Sequence, residues 1–351
     1  MASALSTSTA ARTGALLAIA AGATALWVEH RARRAEREHP PAGRFVAVDG
    51  VRLHYRERGQ GPAVVLLHGN VVTAQDFEAS GLMERLAQEH RVIAFDRPGF
   101  GHSQRPRSRE WTPATQAALL QRACARLSIE RPVLVGHSMG TMVALSMALD
   151  HPASVGGLVL VSGYHYPALR LDALMAAPAA LPLVGDVLRH TATAVSARAL
   201  LESMVATMFA PMPVPPGFLP QLSREMLVRP SQLRAGSEDG SFMMPQARAS
   251  APRYRQLELP LTLITGDGDK VVDGQAHSAR MHRELPHSRY VELPGAGHMA
   301  HHAQPQAVVD AVVAMRGQMG SAGADGSLPA AATAAAGAGT AAGAREIARA
   351  D

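Results

Sequence analysis

The chain has 351 residues, of which 47% are hydrophobic, 18% charged and 4% aromatic. That supports one large domain or two ordinary ones and excludes wholesale disorder, while the single cysteine, Cys124, excludes an internal disulfide or a thiolate metal framework. The net charge is +5, but Lys270 is the only lysine, the arginines are scattered and aromatics are scarce; this reads as GC-rich codon usage, and no nucleic-acid partner is expected.

Near the amino terminus, residues 14–28 (GALLAIAAGATALWV) carry one polar side chain, Thr24. As a helix this run reaches ~22 Å, short of the ~30 Å hydrocarbon core of a bilayer. Three readings stay open: a short membrane anchor, a signal-peptide core with small-residue cleavage sites around Ala23, or a helix end packed on protein. Arg31, Arg33, Arg34 and Arg37 follow the run directly. Positive charge stays on the cytoplasmic side, which favours an uncleaved anchor with a cytoplasmic catalytic domain over an exported form. Membrane association through residues 14–28 is therefore expected. The sequence carries no signal of oligomeric state.

Residues 44–48 and 53–58 predict a hairpin closed by Asp49-Gly50. Residues 63–67 (AVVLL) form a continuous apolar run, as in a strand buried on both faces, and 92–95, 132–135, 157–161, 261–264 and 290–293 look alike. Helical stretches at 113–127, 139–149 and 304–315 fall between them. The alternation predicts an α/β fold with a doubly wound, mostly parallel sheet whose functional groups sit at the carboxyl ends of the strands. Between 167 and 257 the rhythm breaks: helical patches such as 197–209 and a proline-rich joint at 211–216 predict an inserted helical cap. The chain thus divides into a hydrophobic leader with an arginine-rich flank (1–40), a first core part (41–166), the cap (167–257), a second core part (258–316) and a tail (317–351). The tail holds 14 alanines and 7 glycines in 35 residues. It lacks the large apolar side chains that offset ordering entropy, so it is expected to be disordered.

Three motifs fall at predicted strand ends. Gly136-His137-Ser138-Met139-Gly140 follows the strand PVLV and opens a helix. A G-x-S-x-G in that context is a nucleophile elbow, presenting Ser138 where free helix N–H groups can stabilise negative charge. His68-Gly69-Asn70 ends the strand AVVLL; there the backbone N–H of Asn70 would share an oxyanion hole with that of Met139, and the Asn70 side-chain amide is an alternative donor. His68 lies on the wrong loop for a base and reads as structural. A serine hydroxyl needs a base, and the base needs an orienting carboxylate. His298 lies in Gly295-Ala296-Gly297-His298 after the last strand, with glycine flanks that no other candidate histidine has. Asp269, with Asp267 as the alternative, lies in Gly266-Asp267-Gly268-Asp269 after LTLIT. His301 and His302 are expected to be solvated or peripheral to the site, and His277, His282 and His287 to ride the polar face of a helix.

These motifs, in the order Ser…Asp…His, resemble the α/β-hydrolase fold family in its single-domain form with a helical cap, over residues 44–315. The resemblance extends to the loop Asp96-Arg97-Pro98-Gly99-Phe100-Gly101-His102-Ser103. In that family the loop shapes the site without catalysing, which implies a structural Asp96. The family acid falls three residues after the glycine, which implies Asp269 over Asp267. Relatives resembling epoxide hydrolases and haloalkane dehalogenases carry aspartate at the elbow. Ser138 instead implies attack on a carbonyl and an acyl-enzyme, hence a serine hydrolase acting on an ester of a small apolar substrate. C–C bond hydrolases, cofactor-free perhydrolases and acyltransferases use the same triad, and a ligand-binding member without turnover is the alternative from another class. No metal or organic cofactor is implied. In the cap, Met175, Met204, Met208, Met212, Met226, Met243 and Met244 with Phe209, Phe218 and Phe242 would either line an apolar pocket or hold the cap helices together. Tyr164 and Tyr166, at the junction of sheet and cap, are expected at the pocket mouth. Cys124 is expected to be a small core residue.

Overall fold

A computed structural model describes residues 2–169 and 175–324. It opens with one long helix, α1 (Ala2–Glu38). The hairpin β1 (Arg44–Val48) and β2 (Val51–Arg58) follows. Asp49 and Gly50 both take positive φ, 51° and 75°, the two-residue turn whose twist matches that of its strands. Next come β3 (Ala63–Leu67), the short helices α2 (Asp76–Ala79) and α3 (Leu82–Leu86), β4 (Arg91–Phe95) and α4 (Pro113–Arg126). Thr112 caps α4, accepting a hydrogen bond from the Thr115 N–H, with proline at the first helical position. Then follow β5 (Val133–His137), α5 (Met139–Asp150) and β6 (Gly157–Val161).

The described part of the interval 167–257 holds no strand. Its helices are α6 (Val184–His190), α7 (Ala192–Phe209), α8 (Phe218–Leu222), α9 (Arg224–Leu227) and α10 (Pro230–Ser250). The chain then returns to the sheet through β7 (Leu261–Gly266), α11 (Arg280–Glu284), β8 (Arg289–Leu293), α12 (Ala300–Ala303) and α13 (Pro305–Ala324).

The eight strands lie in the order β1-β2-β4-β3-β5-β6-β7-β8. β1 and β2 pair antiparallel, as do β2 and β4, and every other pairing is parallel. In the central strands the pleat splits the apolar runs between two cores. Val65, Leu67, Ile93, Phe95, Leu134, Leu158 and Leu160 face a layer containing α4 and α5. Val64, Leu66, Val92, Ala94, Val133, Val135, Val159 and Val161 face one containing α3 and α13. Continuous apolarity in these runs is thus the signature of two buried faces.

Three expectations change at the periphery. The apolar leader is part of a single helix, and its last turns dock on protein: Val28, Ala32 and Ala35 are buried at helical spacing. Arg31 bonds Glu225 at 2.7 Å and Glu36 bonds Arg229 at 2.8 Å, tying α1 to the cap. Upstream, Leu16, Leu17, Ile19 and Leu26 are 67–74% exposed. Among the described residues no helix is long and apolar enough to cross a membrane, which corrects the expectation of a spanning anchor. At the other end the helical period outruns the expected domain end, and α13 continues to Ala324; the rest of the expected tail, 325–351, lies outside the described residues.

Leu66→Ala should lower the unfolding free energy by about 2–5 kcal/mol through the cavity it leaves, whereas Leu16→Ala should change it by less than ~0.5 kcal/mol. Urea unfolding followed by circular dichroism measures both.

Candidate active site

At the end of β5 the chain turns through Ser138 at φ 51°, ψ −118° and enters α5 at once. A left-handed serine is strained, and the surroundings hold it: the Ser138 N–H donates to the Val161 carbonyl at 2.9 Å. Gly140 explains the second glycine of the motif, since a Cβ there would stand 2.0 Å from the Leu67 carbonyl oxygen. The elbow therefore packs directly against the end of β3. Gly69 completes the contact, because a Cβ on it would lie 3.1 Å from Ser138 Cβ. So the loop after β3 and the serine are neighbours. Met139 is the first residue of α5, where a backbone N–H has no carbonyl of its own helix to bond.

Asn70 stands in the same loop, but its side-chain amide is engaged elsewhere. Its Oδ1 accepts from Arg97 Nη2 at 2.9 Å and its Nδ2 donates to the Gly236 carbonyl on α10 at 3.4 Å. The side-chain amide is thus tied to Arg97 and to the cap helix α10.

His298 comes off the loop after β8. Its Nδ1 donates to Asp269 Oδ2 at 2.9 Å, and both side chains are almost wholly buried. Asp269 Oδ1 in turn accepts the backbone N–H groups of Val271 and Val272 at 2.8 and 2.9 Å. Both carboxylate oxygens are thus fixed, and Nε2 of His298 carries the lone pair that a general base needs. Asp267 is exposed and accepts the Gly295 N–H at 2.8 Å, joining the turns after β7 and β8. The elbow and the base are neighbours: the ring of His137 lies 5.0 Å from that of His298 and donates through Nε2 to the His298 carbonyl at 3.1 Å.

The supporting residues sort by burial. His68 donates through Nδ1 to the Gly69 carbonyl at 2.7 Å and accepts the Arg97 N–H on Nε2 at 2.9 Å. Burial, together with the Arg97 guanidinium, pushes its pKa down to about 4, the state of a neutral structural imidazole. Asp96 accepts from His54 Nδ1 at 2.7 Å and from the N–H groups of Ala74 and His102. Burial alone would raise its pKa, but the His54 bond and charge outweigh it and bring the value to about 2. Cys124 is buried, and burial pushes its thiol up to about 12.

Other placements differ from expectation. Tyr164 packs with Met139, Met142, Met243 and Ala247 beside the elbow. Tyr166 instead joins the core: its hydroxyl donates to Glu284 at 2.9 Å, its ring meets Tyr254, and Arg280 covers it. His277 is buried and accepts two backbone N–H groups on Nδ1, so it does not ride a polar helix face, whereas His287 is exposed. His301 and His302 are buried around Asp76 and not solvated. In the cap, Met208, Phe209 and Phe218 cluster over Val72 and Met299, while Met175 and Met204 face solvent.

Sequence reasoning passed over Arg97. Its guanidinium is fully buried, donating to the carbonyls of His68 and Gly69, to Asn70, to Gln116 and to Asp239 on α10. No local pattern marks it, because its farthest partner, Asp239, lies 142 residues along the chain.

A serine at positive φ on a strand-to-helix turn thus neighbours the loop that carries a carboxylate-held histidine. A family model described as the alpha/beta hydrolase fold matches residues 62–305. The chain belongs to the α/β-hydrolase family, and it is an enzyme of that hydrolase class. It is 28% identical over 289 residues to an uncharacterized protein of Mycobacterium tuberculosis, covering 78% of this chain and 80% of that one. It is 27% identical over 285 residues to an uncharacterized hydrolase of Bacillus subtilis, covering 76% and 95%. Among solved structures, a thermophilic esterase from Thermogutta terrifontis shares the fold with a TM-score of 0.64 and 23% identity, over 79% of this chain and 99% of that one.

Asp269→Asn should slow modification of Ser138 by ~10³–10⁴-fold, because the amide cannot hold the imidazole with Nε2 bare. Asp267→Asn should leave the rate near that of the wild type. Time courses of labelling by a fluorophosphonate probe compare the two.

Proposed function

We propose that the protein is a serine hydrolase that cleaves an ester or related acyl bond of a small apolar substrate. The observation that carries this reading is the Asp269–His298 pair, bonded through Nδ1 at 2.9 Å beside a serine held in the elbow conformation. In this reading His298 Nε2 takes the Ser138 proton as Oγ attacks the carbonyl carbon. The backbone N–H groups of Asn70 and Met139 then receive the oxyanion. Collapse expels the alcohol, which leaves with the proton from His298, and an acyl-serine remains. Water, deprotonated by the same imidazole, releases the acid. Asp269 stays ionised throughout, steadying the imidazolium. Met139, Met142, Tyr164 and Met243 support the apolar preference, since they form a cluster beside the proposed oxyanion donor.

Wild-type protein should be labelled by a fluorophosphonate probe and Ser138→Ala should not. Among p-nitrophenyl esters, kcat/KM should rise from acetyl to medium-chain acyl groups. Equal labelling of the variant would end the serine-nucleophile reading, and a labelled protein inert on every ester would point to C–C, perhydrolase or acyl-transfer chemistry on the same triad.

We also propose that the exposed half of α1 lies on a membrane surface. Leu16, Leu17, Ile19 and Leu26 are exposed there, and arginines at 31, 33, 34 and 37 follow within a few turns. Full-length protein should float with vesicles of mixed anionic and neutral phospholipid, and Leu16→Ser/Leu17→Ser/Ile19→Ser should reduce the floated fraction at least ~10-fold. Equal flotation of both would reject this placement.

A further inference from the structure

Beneath the catalytic pair lies a second cluster that the proposed reaction does not use. Asp76 comes from α2, His137 from the end of β5, and His301 and His302 from α12. All four side chains are almost wholly buried. His301 Nε2 donates to Asp76 Oδ2 at 2.9 Å, and His302 Nε2 donates to Oδ1 at 2.7 Å. His137 uses its Nε2 on the His298 carbonyl. A ring nitrogen facing a carbonyl or carboxylate oxygen must carry the hydrogen, so in the neutral ring Nδ1 is a bare lone pair. In His137 and His301 that Nδ1 is buried and has no hydrogen-bond partner.

The unmet lone pair of His137 beside the Asp76–His301 pair is a group that a cation satisfies. The rings of His137 and His301 lie 4.4 Å apart, and Asp76, His137 and His301 each bring one donor atom within 4.8 Å of the others. For Asp76, burial acts upward, but the paired histidines outweigh it and hold the carboxyl well below its usual range, ionised. His137 has its far N–H anchored on the His298 carbonyl, the arrangement that orients histidine ligands around metals.

We propose that Asp76, His137 and His301 bind a single first-row divalent metal ion, of which zinc is the probe. Two imidazoles and one carboxylate suit zinc, cobalt or iron(II) and do not suit magnesium or calcium. Bonds of ~2.1 Å about a tetrahedral ion space its donors ~3.4 Å apart, so the ion takes the place of the hydrogen between His301 Nε2 and Asp76 Oδ2, now 2.9 Å apart, and the His301 proton moves to Nδ1. The ion would join three segments that set the active site: the helix after the Asn70 loop, the strand that ends at Ser138 and the helix after His298. Its role is to fix those segments relative to one another, and no step of the hydrolysis passes through it. The inference does not rest on the ester reading.

The test uses full-length protein without an affinity tag, loaded with zinc or cobalt and desalted. Elemental analysis should find about one equivalent retained, the cobalt form should absorb in the visible range, and loading should raise the Tm by several degrees. His301→Gln and Asp76→Asn should retain only the surface background. Background retention by the wild type, or the same retention by the variants, would mean an adventitious ion only and would overturn the proposal. Should the variants fail to fold, anomalous scattering at the zinc edge from wild-type crystals decides alone. A peak among the three side chains upholds the site, and a peak elsewhere or none rejects it. Fluorophosphonate labelling of the same samples keeps a failed metal site distinct from a failed triad.

Discussion

The arrangement hangs on one buried cation. Arg97 has no exposed surface, so every N–H of its guanidinium must find an acceptor inside the protein. It finds them on three separate parts of the chain: the His68–Asn70 loop, Gln116 on α4 and Asp239 on the cap helix α10. Removing one partner of such a pair leaves an uncompensated charge and costs about 3–5 kcal/mol. The loop that places the Asn70 N–H is therefore not free to settle by itself. Its position is set jointly by the body and by the cap.

The cap is registered a second time on the side of the base. The Met299 N–H, next to His298, donates to the Met208 carbonyl at 3.2 Å, and a Cβ on Gly297 would stand 2.2 Å from the carbonyl oxygen of Ala210. The end of α7 thus lies against the histidine loop as closely as backbone allows. Phe209, Phe218 and His302 interlock there with ring centroids 4.9–5.3 Å apart. The Asn70 loop and the His298 loop each carry their own contact to the same cap, so the cap is part of the scaffold that spaces them and more than a cover.

Much of this was legible in the chain. Five-residue apolar runs such as AVVLL and GLVLV announce buried strands because a parallel sheet wrapped on both faces leaves no polar side. The elbow was legible because close backbone approach admits only glycine at 140. Asp269 needed resemblance in the sequence and a hydrogen bond in the structure, since Asp267 has the same local chemistry. What stayed hidden depends on partners far along the chain. His301 reads as a polar residue opening a helix until Asp76, 225 residues earlier, is brought against it. Arg97 looks like one more arginine in an arginine-rich protein. Tyr166 looks like a rim residue because its neighbour Tyr164 lies beside the elbow, yet two positions on, the chain has already turned into the core. The apolar leader misled in a different way: composition records how apolar a helix is but not where its docked turns end, and here Val28, Ala32 and Ala35 bury against protein.

That leader is also tied to one part of the molecule. α1 packs on α6, α9 and α10, all of them cap helices. From Val28 back to Arg12 the helix extends ~25 Å at 1.5 Å per residue, a stiff rod with its fulcrum on the cap. Its ion pairs to the rest of the chain, Arg31–Glu225 and Arg229–Glu36, likewise run to cap residues. Arg229 also bonds the Gly101 carbonyl, so the same contacts reach the Asp96–Ser103 loop after β4. Rod, cap and the loop after β4 therefore share one chain of contacts.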